Sequence, residues 1–419
     1  MDARTHTLIP TRPRTRIRSR TALLATVLVL AVPVAPAVAS APRPPSASAR
    51  AATGSLDIAA LRAAIADAGK PGADATAALV RVGGTEGSWL GAAGVHDLAT
   101  RAPADPGGRF RAGSVTKVFT AAMILQLASE GRVDLNRPAR AYLPDLIPAT
   151  YARVTVRQLL NHTSGIPSVG SSDDDSLHYL YAHRFEDRDP VDVVREATAR
   201  KPDFAPGTEQ HYGNIGYTVA GLLLERVTGD SYAHQLVTRI VRPLHLTDTA
   251  VPGSDPAIHG PHNHGYQVFK EPDGSSRLRD VTVWGAGDAF AAGDLISTTA
   301  DLDRFTRALF SGQVVRGAQL KEMFTLPGPD VRDMRTGKPA AYSVGLSTMR
   351  LGGRDVWGKT GGRYGYNTAI GATLSASGAP TRTLVYSVNS TDAKGADMNP
   401  TAMKIMTAAF GVKSGGTGK

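Results

Sequence analysis

The stretch Arg109-Phe-Arg-Ala-Gly-Ser114-Val-Thr-Lys117-Val-Phe-Thr-Ala121 runs from a glycine straight into an apolar helical pattern. Positions three apart share a helix face, so Lys117 presents its amine beside the Ser114 hydroxyl. A lysine desolvated there sheds its proton readily and can serve as base to a serine nucleophile. Ser114 would also sit at a helix N-terminus, where free N–H groups and the dipole favour developing negative charge. The plainer alternative is a serine that caps a helix, and a Ser-x-x-Lys spacing alone is a weak signal. Its weight comes from two motifs further along the chain.

The first is Pro206-Gly-Thr-Glu-Gln-His-Tyr212-Gly-Asn214, which offers a phenol and a carboxamide two residues apart and leads into a helical pattern from Tyr217. The second, Lys359-Thr360-Gly361, ends a strand pattern. Positive charge on both sides of a phenol favours its phenolate, which fits Tyr212 to take the Ser114 proton and later return it to a leaving amine. Asn214 would hydrogen-bond Lys117 and a substrate amide. Lys359 and Thr360 would hold a substrate carboxylate, while Gly361 and Gly362 let the strand backbone approach the acyl group. The backbone N–H groups of Ser114 and Gly362 are candidates for an oxyanion hole. Taken singly, each motif has an ordinary reading: Tyr-x-Asn as a loop, Lys-Thr-Gly as a strand end with a turn.

Outward from these motifs the patterning changes twice. Leu56 to Ala68 has helical spacing, and Ala77 to Val82 and Ser88 to Val95 read as strands around a Gly-Gly turn. From Ser114 to about Phe324 helical patterns dominate: Val118 to Glu130, Val156 to Leu160, Val191 to Arg200, Tyr217 to Thr228, Tyr232 to Val241 and Thr299 to Leu309. From Ala341 the period is two, with strands near Tyr342 to Met349, Val356 to Gly358, Asn367 to Ser375 and Thr383 to Ser387, then a helix over Pro400 to Phe410. Strands at both ends of the chain with helices between them predict an α+β fold. One lobe, from about 55–113 and 325–412, carries a central antiparallel sheet flanked by helices. The other, about 114–324, is all helical.

In this order and spacing the motifs resemble the penicillin-recognising serine hydrolases, which comprise β-lactamases, penicillin-binding DD-peptidases and their esterase relatives. The chain is most similar to the class C β-lactamases and to the secreted soluble D-alanyl-D-alanine carboxypeptidases. The resemblance rests on Phe110-Arg-Ala-Gly-Ser-Val-Thr-Lys117, Leu159-Leu-Asn-His162-Thr-Ser-Gly165-Ile-Pro and Tyr212-Gly-Asn214. It continues through Ile240-Val-Arg-Pro-Leu-His-Leu-Thr-Asp-Thr249, Ser297-Thr-Thr-Ala-Asp-Leu302 and Gly358-Lys-Thr-Gly361. It implies a β-lactamase/transpeptidase-like catalytic domain over 55–412, with Ser114 as acylated nucleophile and Lys117 and Tyr212 as proton carriers. Asn214, Lys359, Thr360, Gly361 and Gly362 would bind substrate, and Trp284 matches an aromatic that lines the cleft or else covers core. The expected activity is a DD-carboxypeptidase on peptidoglycan stem peptides that also binds β-lactams and needs no cofactor. A class C-like β-lactamase, an esterase or D-amino-acid amidase, and a non-catalytic wall-binding or antibiotic-sensing module are the alternatives.

Two departures bear on specificity. The soluble carboxypeptidases usually begin the third motif with His, where this chain has Lys359. After a strand like Tyr342-Ser-Val-Gly-Leu346 they place an arginine that grips the terminal carboxylate; here Ser347-Thr-Met349 follows, with Arg350 a few residues late.

The N-terminal residues read as an address. Arg12 to Arg20 make a basic n-region, Ala22 to Val32 an apolar core and Ala37-Val-Ala39 a small-x-small cleavage site, so 1–39 is expected to be a secretory signal peptide rather than a retained anchor. A linker at 40–54 and a flexible tail at 413–419 would flank a secreted, monomeric domain with no membrane segment after cleavage. Residues 1–39 carry six Arg and one Asp, so they account for +5 of the formal +10 and leave +5 dispersed over the rest. That distribution speaks against a nucleic-acid partner. There is no cysteine, hence no disulfide or thiolate metal site. His259, His262 and His264 lie among Gly, Pro and Asn without carboxylates at helical spacing, and Asp173-Asp-Asp175 lacks alternating oxygen ligands, so no metal site is expected. His162 reads as holding its turn rather than as a base, and Phe119 as core.

Overall fold

The computed structural model describes residues 56–170, 176–395 and 397–411. The expected signal peptide, linker and tail, and Asp173–Asp175, lie outside the described residues. The chain opens with α1 (Ile58–Ile65) and the hairpin β1 (Ala75–Gly84) and β2 (Trp89–Gly94). A short β3 (Phe110–Arg111) turns through one 3-10 turn, Gly113–Val115, into α2 (Thr116–Ser129). Next come α3 (Val156–Leu160), α4 (Leu177–Ala182), α5 (Pro190–Ala199), β4 (Glu209–Gln210), α6 (Ile215–Thr228) and α7 (Tyr232–Leu236), the last widening to a π turn over Val237–Val241. A hairpin of β5 (Tyr266–Lys270) and β6 (Ser276–Asp280) precedes β7 (Ile296–Ser297), α8 (Thr299–Phe310), α9 (Gly317–Glu322) and β8 (Arg332–Asp333). The chain closes with β9 (Ser347–Leu351), β10 (Arg354–Arg363), β11 (Tyr366–Leu374), β12 (Pro380–Ser390) and α10 (Pro400–Phe410).

The main sheet runs β2-β1-β12-β11-β10-β9, every pair antiparallel, and so joins the two ends of the chain. Both faces are covered, which explains why Ala77 to Val80 of β1 reads as an apolar run rather than an alternation. Val80, Leu384 and Tyr386 face α1 and α10, packing with Leu61, Ile405 and Phe410. Leu79, Ile370 and Val385 face the other way into the large core that holds α2, α6 and α8. Helix ends follow their capping residues: Asp57 accepts from Ala60 N, and Asn399 accepts from Ala402 N just ahead of Pro400. Among the described residues no helix is long and apolar enough to cross a membrane.

Helix α2 is buried on nearly every side, so its apolar residues show no stripe, and Phe119 lies in the core stacked on Phe305 at 3.7 Å. The segment 114–324, expected to be all helical, also carries the β5–β6 hairpin and the short β4 and β7, and two of the expected strands differ in extent from the sequence reading. The expected strand from Tyr342 forms only from Ser347, because Gly345, at φ +85°, packs where a Cβ would fall 2.6 Å from the Ala121 methyl. The buried Gln210 amide also holds Tyr342 in a loop, accepting from its N–H and donating to its carbonyl. Conversely, β10 runs five residues past the expected end at Gly358, since Gly361 and Gly362 pair with Thr368 and Asn367 of β11.

Candidate active site

Ser114 lies in the 3-10 turn ahead of α2, and Lys117 in the first turn of that helix. Gly113 makes the entry possible. At φ +53° it adopts a left-handed conformation, and a Cβ there would fall 2.7 Å from the Gly362 nitrogen. Lys117 is fully buried, and its three ammonium hydrogens meet three acceptors: Ser114 Oγ at 3.2 Å, Asn214 Oδ1 at 2.7 Å and the Ala292 carbonyl at 2.8 Å. Burial pushes its pKa down to about 8; the Tyr212 oxygen pulls it up and Lys359 lowers it further. An amine so held can give a proton to, or take one from, the serine it touches.

Tyr212 stands between the two lysines, its ring centroid 5.1 Å from Lys117 Nζ and 4.6 Å from Lys359 Nζ. Its phenol oxygen is buried without a hydrogen-bond partner among the described residues. The ring stacks on Tyr342 at 4.9 Å and meets the tilted His162 ring at 4.6 Å. His162 is held neutral, its pKa well below the usual value through burial and the two lysine charges. Its Nδ1 accepts from Gly213 N at 3.4 Å, so the ring fixes the turn that delivers Tyr212.

Lys359 is 5 % exposed and donates to the neighbouring Thr360 carbonyl at 2.8 Å. Burial alone pushes its pKa down to about 7. Strand β9 pairs with β10 only as far as Gly358, so the edge from Lys359 onward has no strand partner there. A Cβ on Gly361 would lie 2.1 Å from the Ala112 carbonyl and 3.0 Å from the Ser114 nitrogen. The Ser114 and Gly362 nitrogens therefore lie at the same close contact, as two donors for an oxyanion would. A cavity of about 350 Å³ opens here, lined by Ser114, Tyr212, Tyr342, Lys359, Thr360 and Gly362, with Lys394 and Asn399 on the far wall.

Of the residues singled out in the sequence, Ser114, Lys117, Tyr212, Asn214 and Lys359 to Gly362 converge. Trp284 does not line this cavity; it is 6 % exposed and stacks on Tyr364 at 4.4 Å, in an aromatic cluster with Phe269. Arg350 is exposed and pairs with Asp355 at 3.2 Å, away from the cavity wall. His259, His262 and His264 are bonded separately, to Asp255, the Gly260 carbonyl and Asp280. Among the described residues no group of three or more such side chains is arranged to hold a metal ion. The sequence reading missed Tyr342, which it put on a strand, and the Ala292 carbonyl, which no side-chain motif announces.

This architecture has solved counterparts. A D-stereospecific amidohydrolase from Streptomyces sp. superposes with a TM-score of 0.70 at 32% identity, over 84% of this chain and 98% of that one. The D-amino acid amidase from Ochrobactrum anthropi SV3, complexed with L-phenylalanine amide, shares the fold with a TM-score of 0.67 at 24% identity, over 84% of this chain and 98% of that one. In sequence, Protein flp of Staphylococcus aureus (strain MRSA252) is 32% identical over 160 residues, 38% of this chain and 31% of that protein. Penicillin-binding protein 4* of Bacillus subtilis (strain 168) is 28% identical over 294 residues, 66% of this chain and 60% of that protein. The chain thus spans about a third of the first relative's length and less than two thirds of the second's. The Beta-lactamase family matches residues 49–406, most of the chain. With the antiparallel sheet, the helical insert and that match in agreement, the chain belongs to the Beta-lactamase family and has the fold of its serine hydrolases.

Proposed function

We propose that the protein is an exported serine acyl hydrolase that captures a D-configured acyl donor as an ester on Ser114 and releases it to water. The leading reading is a DD-carboxypeptidase acting on peptidoglycan stem peptides. The observation that carries it is Lys359, a buried amine in the cavity with no acidic partner among the described residues. Holding such a cation costs the fold free energy unless an arriving anion offsets it, and a peptide's terminal carboxylate is that anion.

Acylation would begin as Ser114 Oγ attacks the carbonyl and its proton passes to Lys117 or Tyr212. The tetrahedral oxyanion would lie between the Ser114 and Gly362 N–H groups. Collapse would expel the amine, protonated by Tyr212, and leave the acyl group on Ser114 Oγ; water would then take the serine's place.

A second reading, a D-amino-acid amidase, is favoured by a separate observation. Among the described residues lining the cavity there is no arginine, and Arg350 is turned to Asp355, so a leaving group without a carboxylate would meet nothing it lacks. The Streptomyces amidohydrolase, similar over 98% of its length, supports this reading too. One experiment separates them: the purified protein is given an acyl-D-Ala-D-Ala peptide, D-phenylalanine amide and a chromogenic cephalosporin, with intact mass measured after benzylpenicillin. D-Alanine release with a lasting adduct on Ser114 is the expected result. Ammonia release without D-alanine would transfer the assignment to the amidase, and rapid cephalosporin turnover to a β-lactamase. Export predicts that the protein recovered from culture medium begins at Ser40.

A further inference from the structure

Lys117 has three hydrogen-bond acceptors, and two of them, Ser114 and Asn214, belong to recognisable motifs. The third is a main-chain carbonyl, that of Ala292, whose place depends on a turn with an unusual backbone. Ala291 adopts φ +55°, a left-handed conformation that a residue with a Cβ rarely takes. Both Ala291 and Ala292 are completely buried, so bulk solvent does not reach the turn. Two side chains do. Thr120, one helical turn beyond Lys117, donates to the Ala291 carbonyl at 2.7 Å. Asp294 reaches back to accept from Ala291 N through Oδ2 at 3.0 Å.

Asp294 is 5 % exposed, and its other oxygen, Oδ1, is buried with no partner among the described residues. A carboxyl with one unsatisfied oxygen is a costly way to close a turn that an asparagine or a serine would close as well. Its distinctive property is a charge within electrostatic reach of the Lys117 amine.

We propose that Asp294 is a positioning residue for acyl transfer: its carboxyl pins the left-handed turn at Ala291, and that turn aims the Ala292 carbonyl at the Lys117 amine and biases the proton it carries. The inference rests on the acyl-transfer reading of Ser114 and Lys117. Burial pushes the Asp294 carboxyl up to about 7, opposed by the Ala291 N–H, Arg363 and Lys117, so it changes charge close to the range in which Lys117 does. The other titratable groups facing the pair are Tyr212, Tyr217, His162, Lys359 and Lys394 around the lysine and Tyr232 beside the carboxyl. An ionised Asp294 favours protonated Lys117. Removing its charge therefore lowers the lysine's proton affinity, and removing its acceptor also loosens the Ala292 carbonyl.

The test uses Asp294→Asn, which keeps an oxygen for Ala291 N, and Asp294→Ala, which does not. Lysine side chains are labelled with 13C, the Lys117 signal is identified by its loss in Lys117→Arg, and its titration is followed by NMR. In parallel, acylation of Ser114 by an activated acetyl ester, p-nitrophenyl acetate, which transfers acetyl to Oγ and releases p-nitrophenol, is timed as a function of pH. The Lys117 midpoint is expected to fall in both variants. The high-pH acylation rate should stay within roughly threefold of wild type in Asp294→Asn and drop roughly 10–100-fold in Asp294→Ala, as expected for a misplaced catalytic group. An unmoved Lys117 midpoint in Asp294→Asn overturns the proposal, whether or not Asp294→Ala folds. A moved midpoint in a protein whose Ser114 never acylates would uphold the Asp294–Lys117 link and defeat the acyl-transfer reading instead.

Discussion

Lys117 and Lys359 lie 5.1 and 4.6 Å from the centre of one phenol ring, yet the proposed acyl transfer gives them different tasks. Lys117, with a pKa of about 8, must be neutral to take the serine proton, so acylation should speed up as pH rises through about 8. Lys359, with a pKa of about 7, must be charged to hold a carboxylate, so binding of a carboxylate-bearing substrate should weaken as pH rises through that value. The profile of kcat/KM for an acyl-D-Ala-D-Ala peptide should therefore be a narrow bell, whereas that for an uncharged N-acyl-D-amino-acid amide should rise and level off. Identical profiles for the two substrates would remove Lys359 from carboxylate binding. Tyr212 allows a second test, because among the described residues its buried oxygen has no well-formed hydrogen bond, only the attraction of the Lys117 amine. Tyr212→Phe should leave the melting temperature level or higher while slowing adduct formation with benzylpenicillin by roughly 10²–10⁴-fold; a mass-spectrometric time course beside a melting curve gives both readings. The convergence of these residues was legible because their chemistry sits in side chains at telling spacings. The Ala292 carbonyl was not, since every residue has one, and Tyr342 was hidden inside a pattern that alternates like a strand.

At the scale of elements, the site exists because β10 runs unusually close to the start of α2. Gly361 is where they touch: a Cβ there would stand 2.1 Å from the Ala112 carbonyl, 2.5 Å from Thr368 Oγ1 and 3.0 Å from the Ser114 nitrogen. None of these is the free end of a flexible chain, so Gly361→Ala must push the strand off the helix. It should cost about 1–3 kcal/mol of stability and, by parting the Ser114 and Gly362 N–H groups, slow acylation roughly 10²–10³-fold. Gly371→Ala, in the neighbouring strand, meets nothing nearer than 3.3 Å and serves as the control in denaturant unfolding and acylation assays. Should both alanines slow acylation equally, the close approach would not be what matters. The same contact explains where strand reading failed. Paired glycines at 361 and 362 look like a strand end by propensity, but here they let the strand continue past a helix. Gly345 has the opposite effect, bending the chain beneath α2 so that the strand begins only afterwards.

Taken whole, the molecule divides its site between parts far apart in sequence. Thr76 bonds to the Asn389 carbonyl 313 positions away, so the sheet carrying Lys359 to Gly362 closes only when both chain ends have met. The period-two runs at both ends made that closure readable, whereas the packing of α8 on the sheet was not, because an amphipathic pattern names a buried face without naming its partner. Ser114 and Tyr212 reach the cavity from the helical side and β10 from the sheet, so a ligand that bonds to both ties the two together. Such a ligand stabilises the whole fold by mass action, by about 2.7 kcal/mol at a hundred times its dissociation constant. An acylamino boronic acid with the D-like configuration can accept Ser114 Oγ at boron and place an oxygen between the Ser114 and Gly362 N–H groups. At saturation it should raise the melting temperature by a few degrees, in a single transition. The mirror-image compound should raise it much less, and neither should act on Ser114→Ala. Equal shifts from both enantiomers would show that the cleft does not select D-configured donors, while a shift that survives in Ser114→Ala would place the ligand elsewhere.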